Sequence, residues 1–386
     1  MKRLSFFLFS LVVLICLSDP GYGQPALKVG GLIPFSGRWG DLGRECAKGM
    51  LDAGKWLNQR GGIYGRKLEI FLIDDTSQPA EIMAAFRKLN EADHILLLYL
   101  YSVETALTLL PHIQYNRIPT LFNTLPSHLA NPSQYPYVFS IAPTPLDLAK
   151  ITMHFISEKS GVKTGKPKIV FIGSPEYVDQ HFVEEARTYA KTLGLETGKD
   201  LKVPDLGSGK STSSSLLAMG QYGPDFAYLS LTSKEASPIL QEAKRAGLET
   251  RWICNTKTFD ESLTPFGGIM GMQPIAPFGE DIPGMAGIKE VHQRWHPFDS
   301  HTLFYVEGWA TVQVIAEALG RALPESKLSR ERVKGSLEGF KDFVLGGLIP
   351  PLTIGTKDHR PSVESRIFIV KDGKLARYTS FISTGR

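Results

Sequence analysis

The chain has 386 residues, of which 42% are hydrophobic and 21% are charged, with 37 Gly, 25 Pro and 3 Cys. This composition excludes a disordered chain, a collagen and a small disulfide-stapled protein, and the length suits about two domains. The formal charge of +4 comes from 43 Lys and Arg against 39 Asp and Glu, with no block of five like charges. A nucleic-acid partner is therefore not indicated.

Residues 1–23 have the features of a secretory signal peptide. Two basic residues precede an apolar stretch from Ser5 to Ser18, and small residues close the segment. We expect cleavage there, a mature start near Gln24 and a periplasmic or secreted protein. The apolar stretch is shorter than the ~20 residues that a membrane anchor needs. A lipid anchor on Cys16 is the remaining alternative, although a large residue stands before it where a lipoprotein signal has a small one.

From residue 27 onward, short apolar runs alternate with amphipathic stretches, which is typical of parallel βαβ construction. In the first half the predicted strands are 27–33, 67–73, 94–101 and 118–122, and the predicted helices are 46–57, 82–89 and 105–115. In the second half the predicted helices are 146–158, 182–193 and 236–243, and the predicted strands are 168–173, 226–231 and 251–254. Because this order of elements occurs twice, the sequence predicts an α/β fold of two similar lobes with mainly parallel sheets flanked by helices.

The last third of the chain breaks this regularity. Residues 266–297 are rich in Gly, Pro and Met without a clear period, so we expect connections and loops there. Helices are predicted at 304–323 and 330–343. The tail is predicted to form strands at 348–354, 366–370 and 375–381, with a hairpin turn at 371–374.

Three patterns that could carry catalysis or cofactor binding are incomplete. Residues 207–212 resemble the end of a phosphate-binding loop, but Pro204 stands where that loop requires Gly. Pro297 interrupts the helix that would align a cluster of metal-ligand residues. The cysteines left after the signal peptide, Cys46 and Cys254, lack a nucleophile context, and we expect free buried thiols rather than a disulfide between them. We therefore expect no enzyme, no cofactor and no metal site. The candidate metal ligands in this cluster are His292, His296, Asp299 and His301.

Hydrogen-bonding and aromatic residues recur in the loops that follow the predicted strands. In open α/β sheets, ligands bind outside the carboxyl ends of the strands. Ser, Thr, Asn, Tyr and Trp in such loops suit a small molecule, whereas the alternative for Ser and Thr is that they cap the next helix. Recurrence in both halves favours a shared ligand cleft. The loops are 34–43, 101–105, 123–127, 174–177, 232–233 and 255–258.

Several segments carry a family resemblance. They are Gly-Leu-Ile-Pro-Phe-Ser-Gly at 31–37, the run at 56–68, Asp-Asp at 74–75, and the segments 224–228, 243–248 and 370–374. As a set they resemble the type I periplasmic binding proteins of the branched-chain amino acid (Leu/Ile/Val-binding) family, the substrate-binding components of ABC importers. The resemblance covers essentially all of the mature chain. It implies a three-strand hinge that permits closure around a ligand, with lobes of 24–143 plus 274–345 and 144–273 plus 346–386.

The resemblance also implies ligand contacts. Ser102 and Thr105 match carboxylate contacts of the family, and Tyr177 matches an aromatic contact from the second lobe. Trp39 lies in the loop where the family places an aromatic side chain over the ligand. The other candidate ligand-binding residues are Tyr101, Asn123, Thr124, Leu125, Thr232 and Lys257.

The loop after Cys254 departs from the family pattern. Amino-acid binders keep a carboxylate there for the α-ammonium group of the ligand, whereas residues 255–258 read Asn-Thr-Lys-Thr. A buried ammonium without a counter-charge is costly, so we favour a small organic or aromatic acid, which Lys257 can bind. The alternative is a branched-chain or other amino acid, with the carboxylate supplied by a residue such as Asp260 or Glu280. We expect a monomer that delivers its ligand to an inner-membrane ABC permease, or alternatively a ligand-sensing receptor component.

Overall fold

The computed structural model describes residues 24–76, 78–123, 125–159, 161, 165–173, 181–202, 213–323, 327–361 and 363–385. Within these residues the chain forms two α/β lobes, each with a mainly parallel sheet flanked by helices. The predicted fold class is confirmed.

The first lobe is built on a parallel sheet of five strands among the described residues. They are β1 (Leu27–Ile33), β2 (Leu68–Asp74), β3 (Leu97–Leu100), β4 (Thr120–Phe122) and β5 (Val138–Ser140), in the order β2-β1-β3-β4-β5. The helices between them are α1 (Gly40–Gln59), α2 (Pro79–Arg87) and α3 (Val103–Asn116), with a π-helical turn at Lys88–Ala92 and a 3-10 turn at Ser127–Ala130. Because helices cover the sheet, the central strands read as almost continuous apolar runs.

The second lobe is built on a larger sheet. Its first strands are β6 (Lys168–Gly173), β7 (Glu196–Thr197), β8 (Leu201–Lys202), β9 (Phe226–Ser230), β10 (Arg251–Cys254) and β11 (Met270–Gln273). Antiparallel strands complete it, namely β12 (Glu364–Lys371), β13 (Lys374–Arg377) and β14 (Ile382–Ser383). The order is β13-β12-β11-β10-β9-β6-β7, with β8 beside β6 and β14 beside β12. The helices are α4 (Pro145–Lys159), α5 (His181–Thr192), α6 (Ser213–Tyr222) and α7 (Ser233–Arg245), with a 3-10 turn at Glu261–Leu263.

Between β11 and β12 the chain returns to the first lobe. This part forms a 3-10 turn at Pro283–Met285 and the helices α8 (Ala286–Trp295), α9 (Leu303–Ala322) and α10 (Arg330–Glu338). Helix α9 packs closely on α1, since a Cβ atom added at Gly308 would collide with the carbonyl oxygen of Cys46. A Cβ atom at Gly49 would likewise collide with the carbonyl oxygen of Tyr305.

Two predictions for the last third of the chain are wrong. Residues 266–297, predicted as loop, contain β11 and α8. The strand is short and rich in Met and Gly, and the helix buries only Ile288 and Val291, so neither gives a clear period. Residues 348–354, predicted as a strand, form only an isolated bridge between Leu352 and Phe343. Pro350 and Pro351 lack the backbone N–H that a strand ladder requires.

The segment 348–354 packs on the first lobe. Leu348, Ile349, Leu352 and Ile354 belong to the same buried cluster as β1, α1 and α9 of the first lobe. Val363 belongs to the core of the second lobe. The segment up to Ile354 thus packs on the first-lobe core, and Val363 packs on the core of the second lobe. The division of the chain into lobes stays a prediction from the resemblance.

Three smaller features complete the fold. Cys46 and Cys254 are free and buried, as predicted. The hairpin at 371–374 is confirmed, with Asp372 and Gly373 at φ 52° and 68° joining β12 to β13. No helix in the described part of the chain has the length and apolar character needed to span a bilayer.

Candidate functional site

A small cavity lies where the carboxyl ends of the two sheets face each other. It has room for about one water molecule. Asn123 follows β4 of the first lobe, Lys257 follows β10 of the second, and Glu307 lies in the second turn of α9. Among its described lining residues, Lys257 is the single basic side chain and Glu307 the single acidic one. The lining residues are Asn123, Ala142, Leu148, Thr256, Lys257, Gln273, Pro274, Ile275, Phe304 and Glu307.

Lys257 reaches from the second lobe to the first. Its loop is fixed by the side-chain oxygen of Asn255, which accepts the N–H of Lys257 at 3.1 Å and the N–H of Thr258 at 2.9 Å. The ammonium nitrogen donates to the hydroxyl of Tyr101 at 3.0 Å and lies 4.1 Å from the centroid of that ring. It also lies 5.7 Å from the ring centroid of Phe304. Two aromatic faces thus stabilise the cation at the boundary between the lobes.

Gln273 holds the opposite wall of the cavity in place. Its side-chain nitrogen donates to the carbonyl oxygens of Thr256 and Phe259, both at 2.7 Å. Since Gln273 is 1% exposed, these bonds tie the end of β11 to the loop that carries Lys257. The Lys257 loop is therefore held from both sides.

Two acceptor oxygens at the cavity have no hydrogen-bond partner among the described residues. One is Oε1 of Glu307, and the other is Oδ1 of Asn123. Glu307 is 1% exposed, and burial raises the pKa of its carboxyl group, while Lys257 and a hydrogen bond from Tyr99 act in the opposite direction. Buried acceptors without donors are costly, so these two atoms are positions where a bound molecule would be stabilised.

Other contacts join the lobes beside the cavity. The carboxylate of Glu261, from the second lobe, accepts the backbone N–H of Leu303 at 3.0 Å and that of Phe278 at 3.4 Å. Leu303 is the first residue of α9, so Glu261 lies at the positive end of that helix. Burial raises the pKa of Glu261 to about 7 against the effect of both N–H groups. At the rim, Arg38 forms an ion pair with Glu235 at 2.9 Å.

Several sequence-predicted site residues form local caps. Ser102 is the N-cap of α3, and its hydroxyl donates to Asp75 at 2.7 Å. The hydroxyl of Thr105 donates to the same carboxylate at 2.6 Å. Thr232 is the N-cap of α7 and forms a capping box with Glu235. Ser102 and Thr232 therefore cap helices, whereas Thr105 lies in the first turn of α3, and none of the three lines the cavity.

Of the other predicted ligand-binding residues, some lie at the cavity and others lie elsewhere. Asn123 and Lys257 line the cavity, and Tyr101 contacts Lys257. Leu125 is 0% exposed in the hydrophobic core. Trp39 is partly buried against the first-lobe core, with the guanidinium of Arg38 5.3 Å from its ring. Thr124 and Tyr177 lie outside the described residues, as does the phosphate-loop-like segment 207–212.

The acids proposed to replace the missing carboxylate are engaged elsewhere. Asp260 accepts from the hydroxyl of Ser233 at 2.6 Å, and Glu280 pairs with Arg377. Sequence reasoning missed Glu307, which lines the cavity. The available signal was a lone charged residue in the apolar start of α9, from Leu303 to Ala310.

The histidines at 292, 296 and 301 lie close together in the first lobe. The rings of His292 and His301 are 5.4 Å apart, and those of His296 and His301 are 5.8 Å apart. Among the described residues, no group of three His, Cys, Asp or Glu is placed to hold a metal ion.

Comparison with known proteins identifies relatives along most of the chain. A family model described as periplasmic binding protein matches residues 26–374. The chain is 22% identical over 333 residues to the Leu/Ile/Val-binding protein homolog 7 of Brucella suis biovar 1 (strain 1330). That match covers 81% of this chain and 82% of the relative.

Two solved structures share the fold. A branched-chain amino acid ABC transporter protein from Thermus thermophilus with bound valine has a TM-score of 0.82 and 22% identity, covering 94% of this chain and 97% of that one. A solute-binding protein of an ABC transporter from R. palustris, in complex with benzoate, has a TM-score of 0.74 and 18% identity, covering 91% and 95%. At these identities the likeness concerns the fold alone.

Proposed function

The chain belongs to the periplasmic binding protein family, and from this membership we propose that it is the extracytoplasmic solute-binding protein of an ABC importer. Its two lobes close over a small carboxylate-bearing ligand, an organic or aromatic acid, in the cleft between them. The protein acts as a monomer and presents the ligand to a membrane permease. Residues 1–23 serve as its export signal, and it catalyses no reaction.

Lys257 is the observation that carries this proposal. Its ammonium group lies at the cavity between the aromatic rings of Tyr101 and Phe304. A ligand carboxylate at this place would accept a charge-assisted hydrogen bond from Lys257. Because the observed cavity has room for about one water molecule, the lobes must separate to admit a ligand. The rings and the apolar side chains of Leu148 and Ile275 then suit the hydrocarbon part of an acid. The fold relative that binds benzoate is consistent with such a ligand.

An amino acid is the second candidate, and Glu307 is the observation that favours it. The carboxyl group of Glu307 could pair with the α-ammonium group of a ligand, and the Thermus thermophilus relative has bound valine. However, the charge of Lys257 already acts on Glu307. A second ammonium group would be repelled by Lys257, so an acid without an ammonium group is preferred.

A thermal-shift screen with a matched pair of variants tests the proposal. The probes are benzoate, 3-phenylpropanoate and 3-methylbutanoate, each compared with phenylalanine and valine. A ligand at 100-fold excess over Kd stabilises by about 2.7 kcal/mol, which raises Tm by a few degrees. We expect the acids to shift the wild-type protein.

We expect Lys257→Met to weaken acid binding at least about tenfold, since a hydrogen bond to a charged group contributes about 1.5–3 kcal/mol. Lys234→Met, on the exposed face of α7, is the matched control and should bind normally. A protein that responds only to amino acids, or whose acid binding survives Lys257→Met, would contradict the proposal.

A further inference from the structure

Glu307 lines the cavity, and the packing of α9 gives no reason for a charged residue at this position. It is the one charged residue in the first two turns of α9, where Leu303, Phe304, Val306 and Trp309 pack into the core. A buried carboxyl group costs free energy, and a helix of this kind would be more stable with an apolar residue. The presence of an acid that faces the cavity therefore points to a role in binding.

The groups around Glu307 leave one of its oxygens unpaired. Lys257 of the second lobe and Tyr99 of β3 both act to lower the pKa of the carboxyl group, and Cys46 of α1 lies close enough to be affected by its charge. Oε1 of Glu307 is nevertheless without a partner among the described residues. It borders the same cavity as Oδ1 of Asn123, the other unpaired acceptor.

These two acceptors complement the cation of Lys257. A carboxylate satisfies Lys257 but has no hydrogen to donate, so an unsubstituted acid would leave Glu307 and Asn123 unpaired. A ligand with an additional hydroxyl group would donate to one of them. An ammonium group would also donate, but it would stand beside the charge of Lys257.

We infer that Glu307 is a specificity-determining residue that accepts a hydrogen bond from the ligand, so that the site takes a hydroxy acid in preference to the unsubstituted acid and the amino acid of the same skeleton. This inference rests on the proposed function, because it assumes that Lys257 holds the ligand carboxylate. When the ligand enters, the ammonium group of Lys257 exchanges the hydroxyl of Tyr101 for the carboxylate. Glu307 and Asn123 then receive the donor that they lack.

Isothermal titration with two matched series tests the inference. One series is 3-methylbutanoate, 2-hydroxy-3-methylbutanoate and valine, and the other is 3-phenylpropanoate, 3-phenyllactate and phenylalanine. We expect the hydroxy acid of at least one series to bind about tenfold more tightly than its two counterparts, the ratio that one hydrogen bond to a charged group provides.

Two substitutions of Glu307 distinguish the loss of its hydrogen bond to the ligand from an effect on folding. Glu307→Leu should remove the hydroxyl preference, which brings the ratio of the two affinities close to one. Glu307→Gln keeps an acceptor oxygen and the side-chain shape but not the charge, so it should retain part of the preference, between the ratios of the wild-type protein and of Glu307→Leu. If Glu307→Leu is unstable, Asn123→Ala provides the second test and should reduce the same ratio.

The other possible outcomes contradict either this inference or the proposed function. Acids that bind through Lys257 without a hydroxyl preference, or a preference that persists in Glu307→Leu, would overturn this inference alone. Tightest binding by the amino acids would overturn it in favour of an ammonium site. Failure of all six compounds to bind would overturn the proposed function together with the inference.

Discussion

Lys257 is a cavity-lining side chain of the second lobe that contacts the first lobe. Its contact with Tyr101 spans the boundary between them, and the aromatic rings compensate in part for the water that the ammonium group loses. The ion pair of Arg38 and Glu235 also spans the boundary, but both side chains remain more than a fifth exposed. Such a pair contributes little to stability, so the interior contacts contribute more to holding the lobes together.

Glu261 makes the contact between the lobes sensitive to pH. Burial raises its pKa to about 7, above the ordinary value of 4.5. The contacting state therefore binds a proton more tightly than a state in which the carboxyl group is solvated. Closure is favoured when the pH falls through about 7, and the charged carboxylate disfavours closure above that pH.

We predict tighter ligand binding at pH 6 than at pH 8. For an acid whose own pKa is below 5, the Glu261 linkage alone raises the affinity by up to about tenfold over this interval. Glu261→Gln has no proton to lose and should lower that ratio by at least about threefold. Glu249→Gln, an exposed substitution in the same lobe, is the control. Isothermal titration at both values measures the ratio, and an unchanged ratio in Glu261→Gln would show that another group titrates.

At the scale of elements, the contact of α1 with α9 positions Glu307 and Phe304 at the cavity. The two helices approach so closely that a side chain at Gly308 or Gly49 would collide with backbone of the other helix. Two glycines on facing helices thus hold α9 against the first lobe. The carboxyl group of Glu307 is presented from a rigid element, which suits a residue that discriminates between ligands.

Substitution of these glycines tests the packing. Gly308→Ala should destabilise the protein by about 1–3 kcal/mol, because the methyl group overpacks the helix contact. Gly335→Ala, in α10, meets open space and should be neutral or stabilising by about 0.5–1 kcal/mol. Urea unfolding of both variants gives the comparison. Equal stabilities would mean that α1 and α9 can separate without cost.

The sequence predicted elements best where the pattern is local. The strands at 27–33, 168–173 and 251–254 are observed with the predicted bounds, because each is an apolar run closed by a polar or Gly-rich turn. Elements with few periodic residues, such as β11 and α8, gave no such pattern. The segment 348–354 reads as apolar and β-like, but its two prolines prevent ladder formation, and it packs as irregular chain.

At the scale of the whole molecule, the site depends on segments that are distant in sequence. Asn123 and Lys257 were predictable because they follow strand ends, where α/β proteins bind ligands. Glu307 was not predictable, because it lies on helix α9. This helix packs on the first lobe although it follows six strands of the second lobe in the chain. The residues matched to family contacts, Ser102 and Thr105, follow a strand end as well, yet Asp75 takes both hydroxyls.

Two similar lobes were expected from the repeated order of elements, and the family and fold comparisons agree with that expectation. The sequence does not show which core receives Leu348 and Ile354, because this depends on packing between segments distant in the chain. The division of the chain into lobes remains a prediction. The three-strand hinge remains a prediction that rests on the resemblance.

A crystal structure of the mature chain with the best-binding small acid would show whether Lys257 holds the ligand carboxylate. We expect the carboxylate in the cavity between the lobes, at a hydrogen-bond distance of about 2.7–3.2 Å from the ammonium nitrogen of Lys257. A carboxylate bound instead by the hydroxyls of Ser102 and Thr105, with Lys257 still on Tyr101, would contradict it.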